Sequence, residues 1–173
     1  YDERVFQPHF YISEDNSKTW KYWGKMMQYS ALQPTTIERK NGTLLCMLRT
    51  SAKDADIWKA TSDDKGKTWN KAEFSGLPNP GSAVDMVKLA NGHIAIAFNN
   101  SRSKRTPLTI AISKDEGETW ACKRNIEDDS EHSYDYPAII QSKDGIIHVA
   151  YTWRREHIKH TAINEAWVCE GAK

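Results

Sequence analysis

Short apolar stretches alternate with polar turn segments along the whole chain. The pattern is clearest in three segments: QPTTIERKNGTLLCMLRT (33–50), SAVDMVKLANGHIAIAFNN (82–100) and YPAIIQSKDGIIHVAYTWRR (136–155). In each, an apolar strand reaches an Asn-Gly or Asp-Gly pair and a second apolar strand returns, and these pairs tolerate the positive φ angles of a tight turn. The pattern therefore predicts three β-hairpins, with two-residue type I′ turns at Asn41-Gly42, Asn91-Gly92 and Asp144-Gly145.

An eight-residue motif, Ser-x-Asp-x-Gly-x-Thr-Trp, recurs between the hairpins. It reads SDDKGKTW at 62–69 and SKDEGETW at 113–120, and a third copy, SEDNSKTW at 13–20, has Ser17 in place of the glycine. The three copies begin about fifty residues apart, and the hairpins follow the same spacing. A fixed period of this length predicts a repeat architecture.

The motif has the chemistry of a turn between strands, because its Asp can accept hydrogen bonds from backbone amides and its Gly can adopt positive φ. We expect the Trp to pack between strands and Ser17 to weaken the first turn without abolishing it. A structural role is expected rather than a metal site, since the motif lacks the ligand positions of an EF-hand loop. A further strand leads into two of the motifs, DIWKATS (56–62) and LTIAIS (108–113).

Four short strands per period, without helical periodicity, are typical of a β-propeller blade. The chain is therefore expected to be nearly all β, with about three four-stranded antiparallel blades forming one domain over residues 1–173.

Charge and composition exclude several classes of partner. The chain has 24 Lys and Arg against 23 Asp and Glu, a formal net charge of +1 over 173 residues. This nearly equal number of positive and negative charges predicts no binding to nucleic acid or to an anionic membrane surface. No apolar run reaches the length of a membrane-spanning helix. The sequence also indicates no metal site and no cofactor.

Three cysteines, Cys46, Cys122 and Cys169, are far apart and odd in number. Their spacing matches no metal-binding motif and indicates no disulfide framework. Because free cysteines are often buried, we expect three buried free thiols.

Together, the motifs and the hairpins between them resemble the Asp-box (BNR) repeats of the sialidase or neuraminidase superfamily. The resemblance runs from about residue 13 to the strand near 160. It implies a six-bladed propeller, of which the chain is similar to the C-terminal half. It also implies a glycosidase that acts on a carbohydrate and is secreted or periplasmic.

The resemblance places a base and an arginine on the first hairpin. Sialidases have a Glu nine residues before a turn Gly and an Arg seven residues after it, and the chain has Gln33, Gly42 and Arg49 at these positions. An amide such as Gln33 cannot act as a general base. The family's first arginine and its acid/base Asp belong to the N-terminal half. We therefore do not expect this chain alone to hydrolyse sialosides.

A second arginine and a tyrosine complete the matched positions. Arg105 stands eight residues before Ser113, and Tyr136 stands nine residues before Gly145. The resemblance implies that Arg49 and Arg105 bind the substrate carboxylate, and that Tyr136 is the nucleophile. Arginine suits the first role because its planar fork binds carboxylates bidentately. Sialidases are known exceptions to the two-carboxylate mechanism of glycosidases.

Further candidates lie near these positions. Asp85 occupies an inner strand and is predicted to be a catalytic carboxylate, or else a hydrogen-bonding partner of a neighbouring blade. Asp135 and His132 flank Tyr136 and could act as acid or base, although His132 also fits a solvated loop. Trp153 and Arg154, followed by Arg155, could line a sugar site or form a strand end with solvated charges.

Two classes of function remain open from the sequence. One is a sialidase-like glycosidase acting on an acidic sugar. The other is a non-catalytic propeller that binds carbohydrate or has a structural role. Because half a propeller exposes its end blades, the sequence leaves two expectations open: a homodimer that completes the ring, or a fragment of a longer protein.

Overall fold

The computed structural model describes residues 7–26, 31–50 and 55–170. Within them, thirteen strands form four antiparallel sheets, and one short helix follows. The first sheet contains β1 (His9–Ile12) and β2 (Lys21–Lys25), and the second contains β3 (Ala31–Glu38), β4 (Leu44–Thr50), β5 (Asp56–Ser62) and β6 (Glu73–Pro78). The third contains β7 (Asp85–Lys88), β8 (Ile94–Asn99), β9 (Leu108–Ser113) and β10 (Cys122–Glu127). The fourth contains β11 (Tyr134–Gln141), β12 (Ile147–Trp153) and β13 (His157–Ile163), and helix α1 (Glu165–Glu170) follows it.

The strands pair with their neighbours in the chain, and successive sheets pack face to face. Every residue of β8 and β9 is buried, as expected for apolar strands in the centre of a sheet that is covered on both faces. Leu45 and Ile57 of the second sheet pack with Phe98 of the third. On the other face of the third sheet, Ile110 packs with Val149 of the fourth. Sheets stacked in this order have the arrangement of propeller blades.

The division into sheets differs from three equal blades. Two complete four-stranded sheets lie between partial sheets of two and three strands. The difference arises because each Asp box marks the corner between the third and fourth strands of a sheet. The first box, at 13–20, accordingly lies between β1 and β2, which form a two-stranded sheet in the described part of the chain.

The Asp boxes form the expected hydrogen-bonded turns. In the second box, Asp64 accepts hydrogen bonds from the amide and the hydroxyl of Thr68 at 2.8 and 2.6 Å, and from Ser62 Oγ at 2.8 Å. Ser62 Oγ accepts in turn from the amide of Gly66 at 2.8 Å. The bonds from Thr68 lower the pKa of Asp64 to about 2. The first box makes the same turn although Ser17 replaces the glycine, and Ser17 has a φ of 63°.

The three box tryptophans differ in burial, which corrects the expectation that each packs between strands. Trp120 is 8% exposed, Trp69 stacks on Phe10 at 4.7 Å between ring centroids, and Trp20 is 62% exposed. The third box packs on the second sheet, where Glu116 accepts a hydrogen bond from the amide of Lys40 at 2.6 Å. The second and third boxes thus lie against the preceding sheet, whereas the described residues contain no sheet before the first box.

The hairpin turns have three residues, so the prediction of two-residue type I′ turns is wrong. Arg39 N donates to Thr43 O at 2.8 Å, and Gly42 N donates to Arg39 O at 3.1 Å. Gly42 has a φ of 87°, whereas Asn41 is not among the positive-φ residues. This is a type I turn followed by a glycine bulge. Asn41 Oδ1 accepts from Thr43 N at 3.0 Å, so the Asn is needed for this side-chain bond rather than for positive φ.

A disulfide and a helix correct two further expectations. Cys122, at the start of β10, is bonded to Cys169 in α1, so these two cysteines are not free thiols. Cys46 is free and buried as expected, and burial raises the pKa of its thiol to about 12. Helix α1 packs on β9 and β10, where the guanidinium of Arg124 lies 3.9 Å from the Trp167 ring centroid. Packing onto the third sheet, not helical periodicity, holds this six-residue helix.

Candidate functional site

Two inner strands carry the same distortion at predicted site residues. Gln33 on β3 and Tyr136 on β11 each precede a proline, lie at a β-bulge and have positive φ, 46° and 51°. Positive φ is unfavourable for residues other than glycine, and such strain is concentrated at functional sites. The bulge turns the Tyr136 side chain outward, and it is 54% exposed.

Asp85 lies on β7, between these two strands, and joins them. Its Oδ1 accepts a hydrogen bond from Thr35 Oγ1 at 2.8 Å, and its Oδ2 accepts from the amide of Ile139 at 2.9 Å. The amide of Met86 also donates to Oδ1 at 3.0 Å. Since both oxygens are engaged with β3, β7 and β11, the contacts favour the alternative that Asp85 bonds neighbouring blades. Its catalytic role stays a prediction.

A buried carboxylate next to Tyr136 holds two arginines. Asp135 is 2% exposed and accepts from Arg105 Nη1 at 2.7 Å and from Arg155 Nε at 3.1 Å. Burial opposes ionisation of Asp135, but the hydrogen bonds from these guanidinium groups outweigh it and hold its pKa below the ordinary value. The Arg105 guanidinium carbon lies 5.8 Å from the Tyr136 ring centroid. The structure therefore brings Arg105 and Tyr136 together.

The charges of this cluster do not cancel. Burial opposes the charge of Arg105, but hydrogen bonds to Asp135 and Tyr136 raise the pKa of Arg105, so the guanidinium stays protonated. With Arg155 on the other oxygen, two positive groups share one carboxylate. The excess positive charge faces a partly exposed surface, where it can attract an anionic group of a ligand.

Arg49 has a different environment. Its Nη1 donates to the carbonyl of Gly81 at 3.1 Å, in the loop that leads to β7. Its Nε is buried and has no hydrogen-bond partner among the described residues. Buried donors without partners are uncommon in folded proteins. The predicted substrate-binding role of Arg49 stays a prediction.

Trp153 and Arg154 contact groups of the chain itself. The Arg154 guanidinium carbon lies 4.2 Å from the Trp153 ring centroid, and His157 stacks on the same ring at 6.2 Å. Arg154 also donates to Asp129 Oδ2 at 3.1 Å, and His132 Nδ1 lies 2.8 Å from the same oxygen. The charge of Arg154 is thus paired with Asp129 and not simply solvated, and the sugar-binding role of Trp153 and Arg154 stays a prediction.

The contact made by Arg155 could not be predicted from the sequence. It reaches Asp135, whereas the neighbouring Arg154 reaches Asp129. Both arginines have positive φ, 56° and 59°, so the alternation of side chains along a strand does not apply to them. Only the run of charges after β12 could have indicated either residue.

Across residues 7–26, 31–50 and 55–170, no three His, Cys, Asp or Glu side chains come together to hold a metal ion. The single helix of that part of the chain is too short to cross a membrane.

Comparison with known proteins shows to which family the chain belongs. The sequence profile of the BNR repeat-like domain matches residues 1–149, most of the chain. The chain belongs to this family. A sialidase of Micromonospora viridifaciens is 24% identical to this BNR repeat-like chain over 174 residues, covering 95% of the chain and 26% of the sialidase. The resemblance to Asp-box sialidase-like proteins is thereby confirmed.

Solved structures share the fold of the BNR repeat-like chain. The NanB sialidase of Streptococcus pneumoniae matches with a TM-score of 0.80 and 21% identity, over 95% of this chain and 28% of the sialidase. The intramolecular trans-sialidase of Ruminococcus gnavus matches with a TM-score of 0.75 and 20% identity, over 93% and 38%. A protein of unknown function from Dyadobacter fermentans matches with a TM-score of 0.74 and 21% identity, over 89% and 44%. The chain therefore spans less than half of each of these proteins.

Proposed function

We propose that this BNR repeat-like chain binds the carboxylate of an acidic sugar at Arg105 and Tyr136, as part of a sialidase-like carbohydrate site. The observation that supports the proposal is the excess positive charge of Arg105 and Arg155 over Asp135, beside an exposed tyrosine held at positive φ. A guanidinium group binds a carboxylate through two parallel hydrogen bonds, and an aromatic ring covers the apolar face of a sugar.

The residues at the positions expected to supply a base argue for binding without hydrolysis by this chain alone. Tyrosine attacks only after a base removes its proton. Gln33 replaces the Glu that serves as this base in the family, and the carboxylate of Asp85 is occupied by hydrogen bonds. Hydrolysis of an acidic glycoside is the second candidate function, favoured by the retention of Arg105 and Tyr136.

Completion of a six-bladed ring by a second copy is part of the same proposal. Large apolar side chains are exposed on both end sheets, Trp20 on the loop of the first and Ile140 and Ile158 on the fourth. Light scattering after size-exclusion chromatography tests the dimer, which has about twice the mass of the 19.8 kDa chain. A monomer at all concentrations contradicts ring closure by this chain.

Calorimetric titration with two matched ligands tests the binding site. The ligands are the methyl α-glycoside of N-acetylneuraminic acid and the methyl ester of its carboxylate, which is neutral. Because a hydrogen bond to a charged group is worth about 1.5–3 kcal/mol, the acid should bind about tenfold or more tightly than the ester. Arg105→Gln should remove this difference.

The control is Arg102→Gln, which makes the same change of charge on the same loop. Arg102 is 66% exposed and pairs with Asp56 instead of Asp135. The control should keep the preference for the acid. Equal affinity for acid and ester, or an Arg105→Gln variant that binds as the wild type does, contradicts the proposal.

A further inference from the structure

Two loops meet beside Tyr136 and enclose an open depression. Thr106 Oγ1 donates to the carbonyl of Asp129 at 2.9 Å, and the amide of Tyr134 donates to the carbonyl of Arg105 at 2.9 Å. These bonds join the loop before β9 to the loop before β11. The depression between them has a volume of about 520 Å³ and is lined by Lys104, Arg105, Ser130, Glu131, His132, Ser133 and Arg155.

The lining of the depression is polar and mainly cationic. Three basic residues line the depression, Lys104, Arg105 and Arg155, and Glu131 is the one acid of the lining. Asp135, beneath them, offsets a single positive charge through its bonds to the two arginines. The hydroxyls of the two serines add hydrogen-bonding groups, which suit a hydroxylated or anionic ligand better than an apolar one.

Arg105 connects the depression to the proposed sugar site. Its guanidinium carbon lies 5.8 Å from the Tyr136 ring centroid, and the same side chain lines the depression. Lys104 is the preceding residue of the same loop and also lines the depression, where its Nζ is 3.4 Å from the carbonyl of Ser130. This contact is longer than an ordinary hydrogen bond and an ammonium group has three donors, so Lys104 can also bind an anion. A ligand bound at Arg105 and Tyr136 can therefore extend toward a second cation.

We propose that the depression is a second subsite, which binds an anionic group of the ligand. The ligand is an oligosaccharide with acidic groups on two neighbouring sugar units. The inference rests on the proposed function, because the first acidic group occupies Arg105 and Tyr136. The second acidic group lies at Lys104 and is held by its ammonium group. A neutral extension of the sugar gains none of this attraction.

The experiment compares two sialosides that differ in their number of carboxylates. Calorimetry measures the affinities of the methyl α-sialoside and of an α2,8-linked methyl disialoside for the wild type, for Lys104→Gln and for Lys143→Gln. Lys143 is a matched control, because it is exposed and lies in the turn at the other end of β11. A partly exposed ion pair of this kind changes affinity by about two- to fivefold.

The expected result is that the disialoside binds about two- to fivefold more tightly than the monosialoside. Lys104→Gln should abolish this advantage without changing the affinity for the monosialoside, and Lys143→Gln should leave both affinities unchanged. Raising the ionic strength from about 0.02 to 0.15 M should reduce the advantage, because salt screens exposed charges.

Two results overturn the subsite, and they differ in what they imply. If both sialosides bind equally, or if Lys104→Gln has no effect on their ratio, the second subsite is wrong while the site at Arg105 and Tyr136 stands. If neither sialoside binds, the proposed function is wrong and the subsite with it.

Discussion

Arg105 and Asp135 form an ion pair of 2.7 Å that joins the third sheet to the fourth. Arg105 lies in the loop before β9, and Asp135 is the second residue of β11. Because Asp135 immediately precedes Tyr136, the pair fixes both the packing of the two sheets and the position of the tyrosine. Stability and ligand binding should therefore depend on the same carboxylate.

Asp135→Asn should destabilise the protein by about 2–3 kcal/mol. Breaking a fully buried ion pair costs about 3–5 kcal/mol, and the cost is lower here since both arginines reach solvent. Urea unfolding measures the change. Asp129→Asn is the control, because Asp129 is 37% exposed and also contacts an arginine, Arg154. The control should cost clearly less, because solvent screens an exposed ion pair. Equal losses of unfolding free energy in the two variants would contradict a larger contribution of the Arg105–Asp135 ion pair to stability.

Acid should destabilise the protein through the Asp boxes. Hydrogen bonds from Thr19 and Thr68 lower the pKa of Asp15 and of Asp64 to about 2. Burial opposes ionisation of Asp115, but hydrogen bonds from Thr119 outweigh it and lower its pKa to about 2. The unfolded pKa of Asp is about 3.9. The stabilisation is thus complete above about pH 5 and is lost as the pH falls through the folded pKa of about 2, since unfolded Asp binds protons first.

Unfolding free energies measured from about pH 5 to pH 2 check this dependence. The variant Asp64→Asn should show a shallower loss of stability across that range than the wild type. Asp63→Asn is the matched control, because Asp63 is the adjacent carboxylate and stands outside the repeated Ser-Asp-Thr bonding pattern. An unchanged slope for Asp64→Asn would show that the box carboxylate does not retain its charge below the ordinary pKa.

The burial of the box tryptophans predicts a graded loss of stability. Trp120→Ala should cost about 3–5 kcal/mol, because it removes a ring that is buried between the second and third sheets. Trp20→Ala should change stability by about 0.5 kcal/mol or less, as is usual for exposed positions. Trp69→Ala should lie between them because its ring stacks on Phe10. A cost for Trp20→Ala that equals that for Trp120→Ala would mean that another surface covers Trp20.

The local elements were predictable because their signals lie within a few residues. The strands proposed at 56–62 and 108–113 coincide with β5 and β9, and the three box turns close as their Ser and Asp residues suggest. In contrast, the exposure of Trp20 depends on whether a preceding sheet covers it. No pattern within one repeat contains that information.

The candidate site was likewise predictable from the sequence only in part. Proximity of Arg105 and Tyr136 followed from the family resemblance, since each occupies a matched position in its repeat. The contact of Arg155 with Asp135 did not follow, because it depends on an irregular chain path after β12. The bond between Cys122 and Cys169 depends likewise on where α1 docks, and the two residues are 47 positions apart.

Removing the disulfide should lower stability without changing the fold. A cross-link that closes a loop of this length contributes about 4 kcal/mol in the chain-entropy description. Cys122→Ser combined with Cys169→Ser, or reduction of the wild type, should therefore lower the unfolding free energy by about 2–4 kcal/mol. A loss of unfolding free energy of less than about 1 kcal/mol would show that the packing of α1 is sufficient without the bond.

The third cysteine gives a separate prediction. Native Cys46 should resist a maleimide at about pH 8, because burial raises its pKa to about 12.

Gln33→Glu tests whether the absent base is what prevents hydrolysis. The variant places a carboxylate on β3, at the position of the family's base, and Asp85 of β7 links β3 to β11, the strand that carries Tyr136. An aryl sialoside has a leaving group that departs without protonation, so its cleavage requires a nucleophile and a base. General-base catalysis contributes about 100-fold or more, and the variant should cleave the substrate faster than the wild type by that factor.

The double variant Gln33→Glu with Tyr136→Phe separates the two roles. If Tyr136 is the nucleophile that the new carboxylate activates, the double variant should return to the wild-type rate. A gain that survives the loss of the Tyr136 hydroxyl would assign the reaction to another group. No gain with Gln33→Glu alone, in a variant that still prefers the acidic sialoside over its ester, would show that a base at this position is not sufficient. The chain would then act as the carbohydrate-binding part of its site.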